Sequence, residues 1–439
     1  MTPLSPPAPV SIAQAFWYWL KLGCISFGGP AGQIAMMHDE LVEKRRWISD
    51  QRFLHALNYC MVLPGPEATQ LAVYIGWLMH RSWGGVMAGV LFVLPSLLLL
   101  IGLSWVYMAY GALPLITAIF YGIKPAVVAI VLAAAWRIGS RTCRNVWLLG
   151  IAIAAFFSIS VLQWPFPFIL LSAALLGGLG AQWRPQIFQV GDGHGGKVVA
   201  RGPALIDDDT PTPAHARFSW MKLLIMAGTG IALGIAVWIA LVWQFGLASP
   251  FAQMGLFFTK AALLTFGGAY AVLPYVYQGA VEHYHWLQPQ QMMDGLALGE
   301  TTPGPLIMVV AFVGFLGGWG KDSLLLAGVI GACVATFFTF LPSFIFILAG
   351  GPLVESTRDN FRLTAPLTAI SAAVVGVIVS LALFFAQAIF HLAQPVQSWD
   401  WVAILITVAA CVALFRYRIN TLILIAACAV TGLMVSSLH

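Results

Sequence analysis

The stretch KLGCISFGGP, residues 21–30, decides how this chain folds, and it recurs as KAALLTFGGA at residues 260–269. In both copies a lysine lies within a long apolar run, and a Phe-Gly-Gly triplet begins six residues later. A lysine inside a membrane costs roughly 2.5–3.5 kcal/mol on insertion scales, and adjacent glycines interrupt helices. The two features together predict a broken helix that builds a binding site.

The composition places the chain in a membrane. Of its 439 residues, 60% are hydrophobic and 8% are charged, and the mean hydropathy is +0.89. Soluble domains carry about a quarter charged residues, so this composition predicts an all-α polytopic membrane protein. The six cysteines are scattered and form no CxxC pair, so we expect no disulfide framework, metal site or cofactor. The net charge of +5 fits the positive-inside bias of membrane proteins and does not indicate nucleic-acid binding.

Apolar stretches of spanning length occur at nine places in the chain. They are residues 84–108, 115–136, 145–162, 165–182, 222–245, 323–348, 366–390, 399–415 and 419–437. Residues 183–219 are instead rich in Gly, Pro and charged residues, which predicts a flexible linker outside the bilayer.

The linker separates two copies of one pattern. With an offset of 239, residues 21–66 and 260–305 share twelve identical residues, including both Phe-Gly-Gly and both Pro-Gly-Pro triplets. The register resumes at an offset of 247, where LPS at 94–96 matches LPS at 341–343. Because one unpaired span lies between the copies, we expect inverted-topology repeats. The predicted units are a first repeat (11–182), a cytoplasmic linker (183–219), an additional transmembrane helix (220–246) and a second repeat (251–437).

The distribution of Lys and Arg residues along the chain favours re-entrant hairpins over plain spans in four regions. These are residues 12–52, 53–80, 251–286 and 294–318. If each region enters and leaves the membrane on one side, nearly all Lys and Arg residues share one face with the linker. Positive residues mark the cytoplasmic face. We therefore expect an inner-membrane protein with nine crossings and four broken hairpins, a cytoplasmic N terminus and a periplasmic or extracellular C terminus. Thirteen plain helices are the alternative, and they also give inverted halves.

The breaks have the chemistry of an anion site. Each one frees backbone N–H groups at the start of the following half-helix, where the helix dipole attracts negative charge. Glycine allows a ligand to approach the backbone closely, and proline needs no N–H partner at a helix start. We therefore predict a site for a small, doubly charged anion between the repeats. Its predicted residues are Lys21, Ser26, Phe27, Gly28, Gly29, Pro64, Gly65 and Pro66 in the first repeat, and Lys260, Thr265, Phe266, Gly267, Gly268, Pro303, Gly304 and Pro305 in the second.

Each of these assignments has a structural alternative. The lysine side chains can extend along their helices to the membrane interface, and Ser26 and Thr265 can serve helix packing alone. Glu67 follows the first Pro-Gly-Pro triplet and Glu300 precedes the second. These two carboxylates are candidates for proton coupling, and the alternative role is that of partners to helix ends.

The combined motifs resemble the chromate ion transporter (CHR) family, in the long bacterial form with two fused homologous halves. The resemblance rests on the SFGGP–RRW–LPGPEATQLAVYIGW run of the first half and on the TFGG–W–TPGP run of the second. It covers nearly the whole chain apart from the linker. The family's glycine motif falls on residues 27–30 and 266–268, and its proline motif on residues 64–66 and 303–305. Ala269 replaces Pro30 and Leu306 replaces Glu67, so the two halves are not equivalent.

The resemblance implies a secondary transporter that exports chromate and confers chromate resistance, with sulfate as the competing analogue. The residues themselves leave a sulfate carrier, another oxyanion carrier and a passive anion channel open, and a homodimer also stays open. A membrane-embedded enzyme is a further rival, but the chain has no HExxH, GxSxG or Walker motif. We therefore expect no catalytic residues, no metal and no enzymatic activity.

Overall fold

A computed structural model of the chain describes residues 7–27, 29–183, 203–207, 210, 213–266, 268–320, 324–356, 364–390 and 399–437. Two glycines of the predicted site, Gly28 and Gly267, lie outside the described residues, as does most of the predicted linker.

The described part of the chain is almost entirely helical and contains sixteen α-helices, which confirms an all-α membrane protein. In chain order they are α1 (Ile12–Ile25), α2 (Gly29–His38), α3 (Asp50–Val62), α4 (Glu67–Tyr110), α5 (Pro114–Thr142), α6 (Val146–Ser160), α7 (Phe166–Trp183), α8 (Trp220–Phe245), α9 (Pro250–Leu263), α10 (Ala269–Tyr277), α11 (Pro289–Thr301), α12 (Val309–Trp319), α13 (Leu325–Ser356), α14 (Thr364–Phe390), α15 (Trp401–Phe415) and α16 (Thr421–Ser437). Single π-helical turns follow α2 (Asp39–Lys44) and α10 (Gln278–His283), and 3-10 turns lie at Ala214–Ala216 and Leu306–Met308.

Each of the nine predicted spans corresponds to a helix, and five of these helices are long and apolar enough to cross a membrane alone. They lie within α4, α5, α8, α13 and α14. The helices that precede the Phe-Gly-Gly and Pro-Gly-Pro triplets are shorter. Helices α1 and α9 have 14 residues and α3 and α11 have 13, which gives each a length of about 20 Å. None of these four can cross a hydrocarbon core of about 30 Å by itself.

The broken helices of the first repeat begin and end on one side of the molecule. The backbone of Ile48, after α2, forms a parallel bridge with Ile206 of the linker. The carbonyl of Val10, before α1, accepts a hydrogen bond from His80 Nε2 at 2.8 Å. His215 of the linker lies 3.1 Å from the Trp77 carbonyl oxygen. The starts and ends of the predicted hairpin regions 12–52 and 53–80 therefore lie beside the linker, as re-entrant hairpins require.

The described part of the linker is held against the first repeat. Leu205 and Ile206 donate backbone hydrogen bonds to the carbonyls of Arg46 and Trp47, at 2.9 and 3.1 Å. Arg52 donates to the Thr210 carbonyl at 2.9 Å. Burial lowers the pKa of the His215 imidazole, which keeps the ring neutral in its contact with Trp77. The expectation of a flexible linker thus does not describe residues 203–207, because backbone pairing and burial order them.

The second repeat has the same construction at the opposite side. The end of α12, at Gly317 and Gly318, packs against Phe251 at the start of α9 and against Trp286 after α10. Between the linker and this point the chain follows α8, whose 26 residues extend for about 39 Å. Since α8 carries the chain from one side to the other, the hairpins of the two repeats enter from opposite sides. This is the inverted arrangement that the repeat pattern predicts.

Glycines allow the half-helices to pack closely against their long neighbours. In the first repeat α4 turns sharply at His80 and Arg81, so that Gly76 and Gly84 face each other across the turn. In the second repeat Gly314 of α12 lies directly against the backbone of Gly331 of α13. A side chain at either position of the second pair would collide with main-chain atoms, which cannot move aside as a flexible side chain can.

We expect Gly314→Ala to destabilise the protein by about 1–3 kcal/mol, because it overpacks the contact between α12 and α13. Gly150→Ala is the matched control, since nothing lies near the position that its methyl group would take. The measurement is thermal unfolding of the purified protein in detergent. A Gly314→Ala variant as stable as the Gly150→Ala variant would contradict this close packing.

Candidate functional site

The tips of the hairpins from opposite sides meet through two reciprocal backbone hydrogen bonds. Gly65, in the first Pro-Gly-Pro triplet, donates to the carbonyl of Thr265 at 2.7 Å. Gly304, in the second triplet, donates to the carbonyl of Ser26 at 2.8 Å. Each Pro-Gly-Pro triplet thus binds the residue before the Phe-Gly-Gly triplet of the other repeat. We call this arrangement of residues 26, 65, 265 and 304 the crossing.

The crossing needs glycine for two reasons. Gly65 and Gly304 have φ angles of +129° and +106°, a region that side chains rarely adopt. A methyl group on Gly65 would also collide with the Ser343 hydroxyl, and one on Gly304 with the Ser96 side chain. The two serines are the equivalent residues of the repeated LPS motif, so each long helix supports the Pro-Gly-Pro triplet of the other repeat.

Two buried amide side chains complete the hydrogen bonds around the crossing. Gln33 donates from Nε2 to the Gly304 carbonyl at 2.5 Å and to the Ser26 carbonyl at 3.3 Å. Gln70 donates from Nε2 to the Pro64 carbonyl at 2.8 Å and to the Ser343 hydroxyl at 3.3 Å. Both glutamines are fully buried. They satisfy carbonyl groups that the breaks leave without helical partners, which a membrane interior otherwise makes costly.

Several buried polar atoms near the crossing have no hydrogen-bond partner among the described residues. They are the hydroxyls of Ser26, Thr69 and Ser96 and the side-chain oxygens of Gln33 and Gln70. An unpaired buried polar group costs about 1–3 kcal/mol, so these atoms are suited to a polar ligand. Hydroxyl groups can donate to an oxyanion. The starts of α2, α4 and α10 lie at the same breaks and supply partial positive charge.

Ser26 and Thr265 occupy equivalent positions but differ in their bonding. The Thr265 hydroxyl donates to the Ala261 carbonyl of its own helix at 2.7 Å. The Ser26 hydroxyl is free of any such bond within the described part of the chain. The two halves of the site are therefore unequal, and the first repeat offers the available donor.

The remaining residues of the two motifs line the same breaks. Phe27 and Phe266 are half-buried, and Gly29 and Gly268 have positive φ angles of 72° and 97°. The two triplets are largely buried, as the burial of Pro66, Pro303 and Pro305 illustrates.

The two lysines do not point into the crossing. Lys21 lies on the exposed face of α1 and borders a surface depression with Gln14, Trp17 and Arg45. Lys260 lies on the exposed face of α9. Helical side chains lean toward the helix N-terminus, and α1 and α9 both begin at the surface. The arrangement therefore differs from the expectation that both ammonium groups converge between the repeats, and it fits extension to the interface.

The two predicted coupling carboxylates have different surroundings. Glu67 is the first residue of α4 and lies close enough to the buried Cys60 thiol to interact with it electrostatically. Glu300 accepts a short hydrogen bond from the Tyr270 hydroxyl. The helix dipole stabilises the Glu67 carboxylate at the start of α4. The Glu300 carboxylate is stabilised by its hydrogen bond from the Tyr270 hydroxyl.

Sequence reasoning missed Gln33, Gln70, Ser96 and Ser343. The signal was present, since each glutamine is a lone amide within an otherwise apolar run beside a motif. The two serines belong to the LPS pair that sets the second offset of the repeat. In the described residues no group of His, Cys, Asp and Glu side chains is placed to hold a metal ion.

We expect Gln33→Leu to destabilise the protein by about 2 kcal/mol and to reduce its transport activity. The buried Gly304 carbonyl loses its side-chain donor, and the Ser26 carbonyl keeps only the N–H of Gly304. Gln253→Leu is the matched control, since Gln253 donates to the Ala248 carbonyl at an exposed site. Thermal unfolding in detergent, together with transport in vesicles, measures both effects. Equal stability of the two variants would argue against a structural role for Gln33 at the crossing.

Comparison with known proteins gives one consistent result. A family model described as Chromate transporter matches residues 13–178 and 252–433. A chromate transport protein of Cupriavidus metallidurans is 30% identical over 86% of this chain and 83% of its own length. A chromate transport protein of Pseudomonas aeruginosa is 35% identical over 87% of this chain and 82% of its own.

A shorter relative matches about a third of the chain. An uncharacterised transporter of Bacillus subtilis is 28% identical over 35% of this chain and 89% of its own length. No solved structure matches the chain. The match of the family model to both repeats, and the level of identity over most of the chain, show that this protein belongs to the chromate transporter family.

Proposed function

We propose that this protein is a secondary transporter that exports chromate across the cytoplasmic membrane and thereby confers chromate resistance. The names of its relatives support chromate as the substrate. The observation that carries the proposal is the crossing. It brings breaks from two inverted repeats together and presents the buried, unpaired hydroxyl of Ser26.

The proposed site binds the oxyanion by hydrogen bonds from the Ser26 hydroxyl and from backbone N–H groups at the starts of the half-helices. Lys21 and Lys260 act nearer the surface, where their positive charge raises the local concentration of anions. Glu67 and Glu300 stay candidates for proton coupling. Sulfate has the same shape and charge as chromate, so it competes for the site.

The inverted repeats support alternating access as the proposed mechanism. In the proposed mechanism the two sets of hairpins rock against each other around the crossing, and each opens the site to the side from which it enters. With the linker side in the cytoplasm, the N terminus is cytoplasmic and the C terminus is outside. An inside-negative potential favours outward movement of negative charge by about 2.3 kcal/mol per charge per 100 mV, which supplies a driving force for export.

The test of this function is chromate uptake into inverted membrane vesicles, in which export from the cell becomes uptake into the vesicle. We expect uptake that saturates with chromate, is inhibited by sulfate and is absent from vesicles without the protein. Uptake that rises linearly without saturation would favour a passive channel. If sulfate inhibits chromate uptake and is itself transported far better than chromate, the result would favour a sulfate carrier.

We expect Ser26→Ala to raise the KM for chromate about tenfold or more, because a hydrogen bond to a charged group contributes about 1.5–3 kcal/mol. Thr265→Val is the matched control and should have a smaller effect, since its hydroxyl already donates within its own helix. Vesicle uptake with equal amounts of each inserted variant is the measurement. A larger effect of Thr265→Val than of Ser26→Ala would overturn the assignment of Ser26 as the donor.

A further inference from the structure

A cluster of charged side chains lies among the helices and does not include the four residues of the crossing. Lys124 Nζ of α5 is 3.4 Å from Asp294 Oδ2 of α11. The Tyr107 hydroxyl of α4 donates to the same carboxylate oxygen at 2.8 Å. The Asp294 side chain is 3% exposed and that of Lys124 is 25% exposed. This ion pair is therefore nearly enclosed on the carboxylate side and partly open on the ammonium side.

The cluster connects the two repeats and occurs once. Lys124 and Tyr107 belong to the first repeat, whereas Asp294 belongs to the second. By the two offsets of the repeat, Ser371 is equivalent to Lys124 and His55 to Asp294, so the pair has no mirrored copy. The Lys124–Asp294 ion pair is therefore not a contact that the packing of two equivalent repeats requires.

Among the residues that the structure describes, no other formal charge faces Asp294 from the helices that pack on α11. Helices α12, α14 and α16 contain no Asp, Glu, Lys or Arg residue, and α16 contributes Cys428 as its one titratable side chain. On α5 and α4 the facing groups are Lys124 and Tyr107. The next carboxylate of α11 is Glu300, which is engaged by Tyr270. Lys124 thus carries the single positive charge that balances Asp294.

The Asp294 carboxylate also has an unused oxygen. Its Oδ1 atom is buried and has no hydrogen-bond partner within the described part of the chain. A buried ion pair inside a membrane is expensive to form and is weak evidence for a purely stabilising role. Burial disfavours the charged form of this carboxylate and its Oδ1 atom is free to carry a proton, whereas the neighbouring ammonium group favours the charged form.

The cluster lies close enough to the crossing to influence an anion there. Asp294 precedes Thr302, at the edge of the second Pro-Gly-Pro triplet, by eight residues, or about 12 Å along α11. At this distance and an effective dielectric constant of about 20, one uncompensated unit charge changes the affinity for a dianion by about a hundredfold. The net charge of the cluster therefore matters to a dianion at the crossing.

We propose that Asp294 and Lys124 form a charge-compensation site that links anion binding to protonation, an inference that rests on the proposed function. A hydronium ion from the aqueous phase transfers its proton to Oδ1 of Asp294. One O–H bond of the hydronium ion breaks, one forms on the carboxyl group, a water molecule is left and the carboxylate becomes neutral. The net charge of the cluster rises from zero to +1, because Lys124 keeps its proton. The uncompensated ammonium group then favours the dianion, and by linkage the bound dianion favours the proton.

The test compares the KM for chromate as a function of pH in inverted vesicles that contain the wild-type protein, Asp294→Asn, Lys124→Met or both substitutions. We expect the wild-type KM to fall as the pH falls. Asp294→Asn should keep the low KM at every pH, because its side chain is neutral. Lys124→Met should raise the KM about a hundredfold, because chromate carries two negative charges. The double variant should lie above Asp294→Asn by about the same factor throughout.

The double variant removes both buried charges together, so it separates a folding defect from a functional one. The KM of the double variant also shows how much of the pH dependence comes from protonation of chromate itself. The pH dependence of the wild-type KM must be larger than that. Tyr121→Phe is the matched control, since Tyr121 of the same helix α5 donates to the Asp400 carboxylate outside this cluster. Its KM and pH dependence should equal those of the wild type.

Two results would overturn the inference while leaving chromate transport intact. One is a wild-type KM with the same pH dependence as that of the double variant. The other is an Asp294→Asn variant that keeps the wild-type pH dependence. Absence of chromate uptake by the wild-type protein would instead remove the proposed function, and this inference would fail with it.

Discussion

Backbone groups inside a membrane have no water to bind, and this constraint governs the structure. Breaking a helix at Phe-Gly-Gly or Pro-Gly-Pro exposes N–H and carbonyl groups that must find partners within the protein. Here each repeat supplies hydrogen-bond partners to the backbone of the other, since the N–H of Gly65 donates to the Thr265 carbonyl and the N–H of Gly304 donates to the Ser26 carbonyl. Neither repeat can bury its own breaks in this way, so the two halves depend on one another.

This exchange explains why the motifs have their residue types. Glycine is required where the φ angle is positive and a serine of the opposite long helix leaves no room for a side chain. Gln33 supplies donors to the carbonyls of Gly304 and Ser26. The same arrangement leaves the Ser26 hydroxyl without a partner in the described part of the chain. A scaffold that satisfies its own backbone yet keeps buried hydroxyl donors free is suited to binding and releasing an oxyanion.

The sequence predicted the fold in most respects because its signals are local or periodic. Apolar runs located the long helices, glycine and proline located the breaks, and the repeat with its odd extra span predicted the inversion. The site was predicted less fully, because partners across repeats do not follow from spacing. The amide contacts of Gln33 and the pairing of Lys124 with Asp294 join residues 271 and 170 positions apart. The direction of Lys21 depends on which face of α1 is buried, and the short helix gave no clear answer.

The central claim is that the anion binds at the crossing and not at the exposed lysines. An experimental structure of the protein in a membrane mimetic with bound chromate tests it most directly. The account predicts density for a tetrahedral anion beside the Ser26 hydroxyl, between the Phe-Gly-Gly breaks of the two repeats. Density for the anion in the surface depression next to Lys21 and Arg45, with an empty crossing, would contradict it.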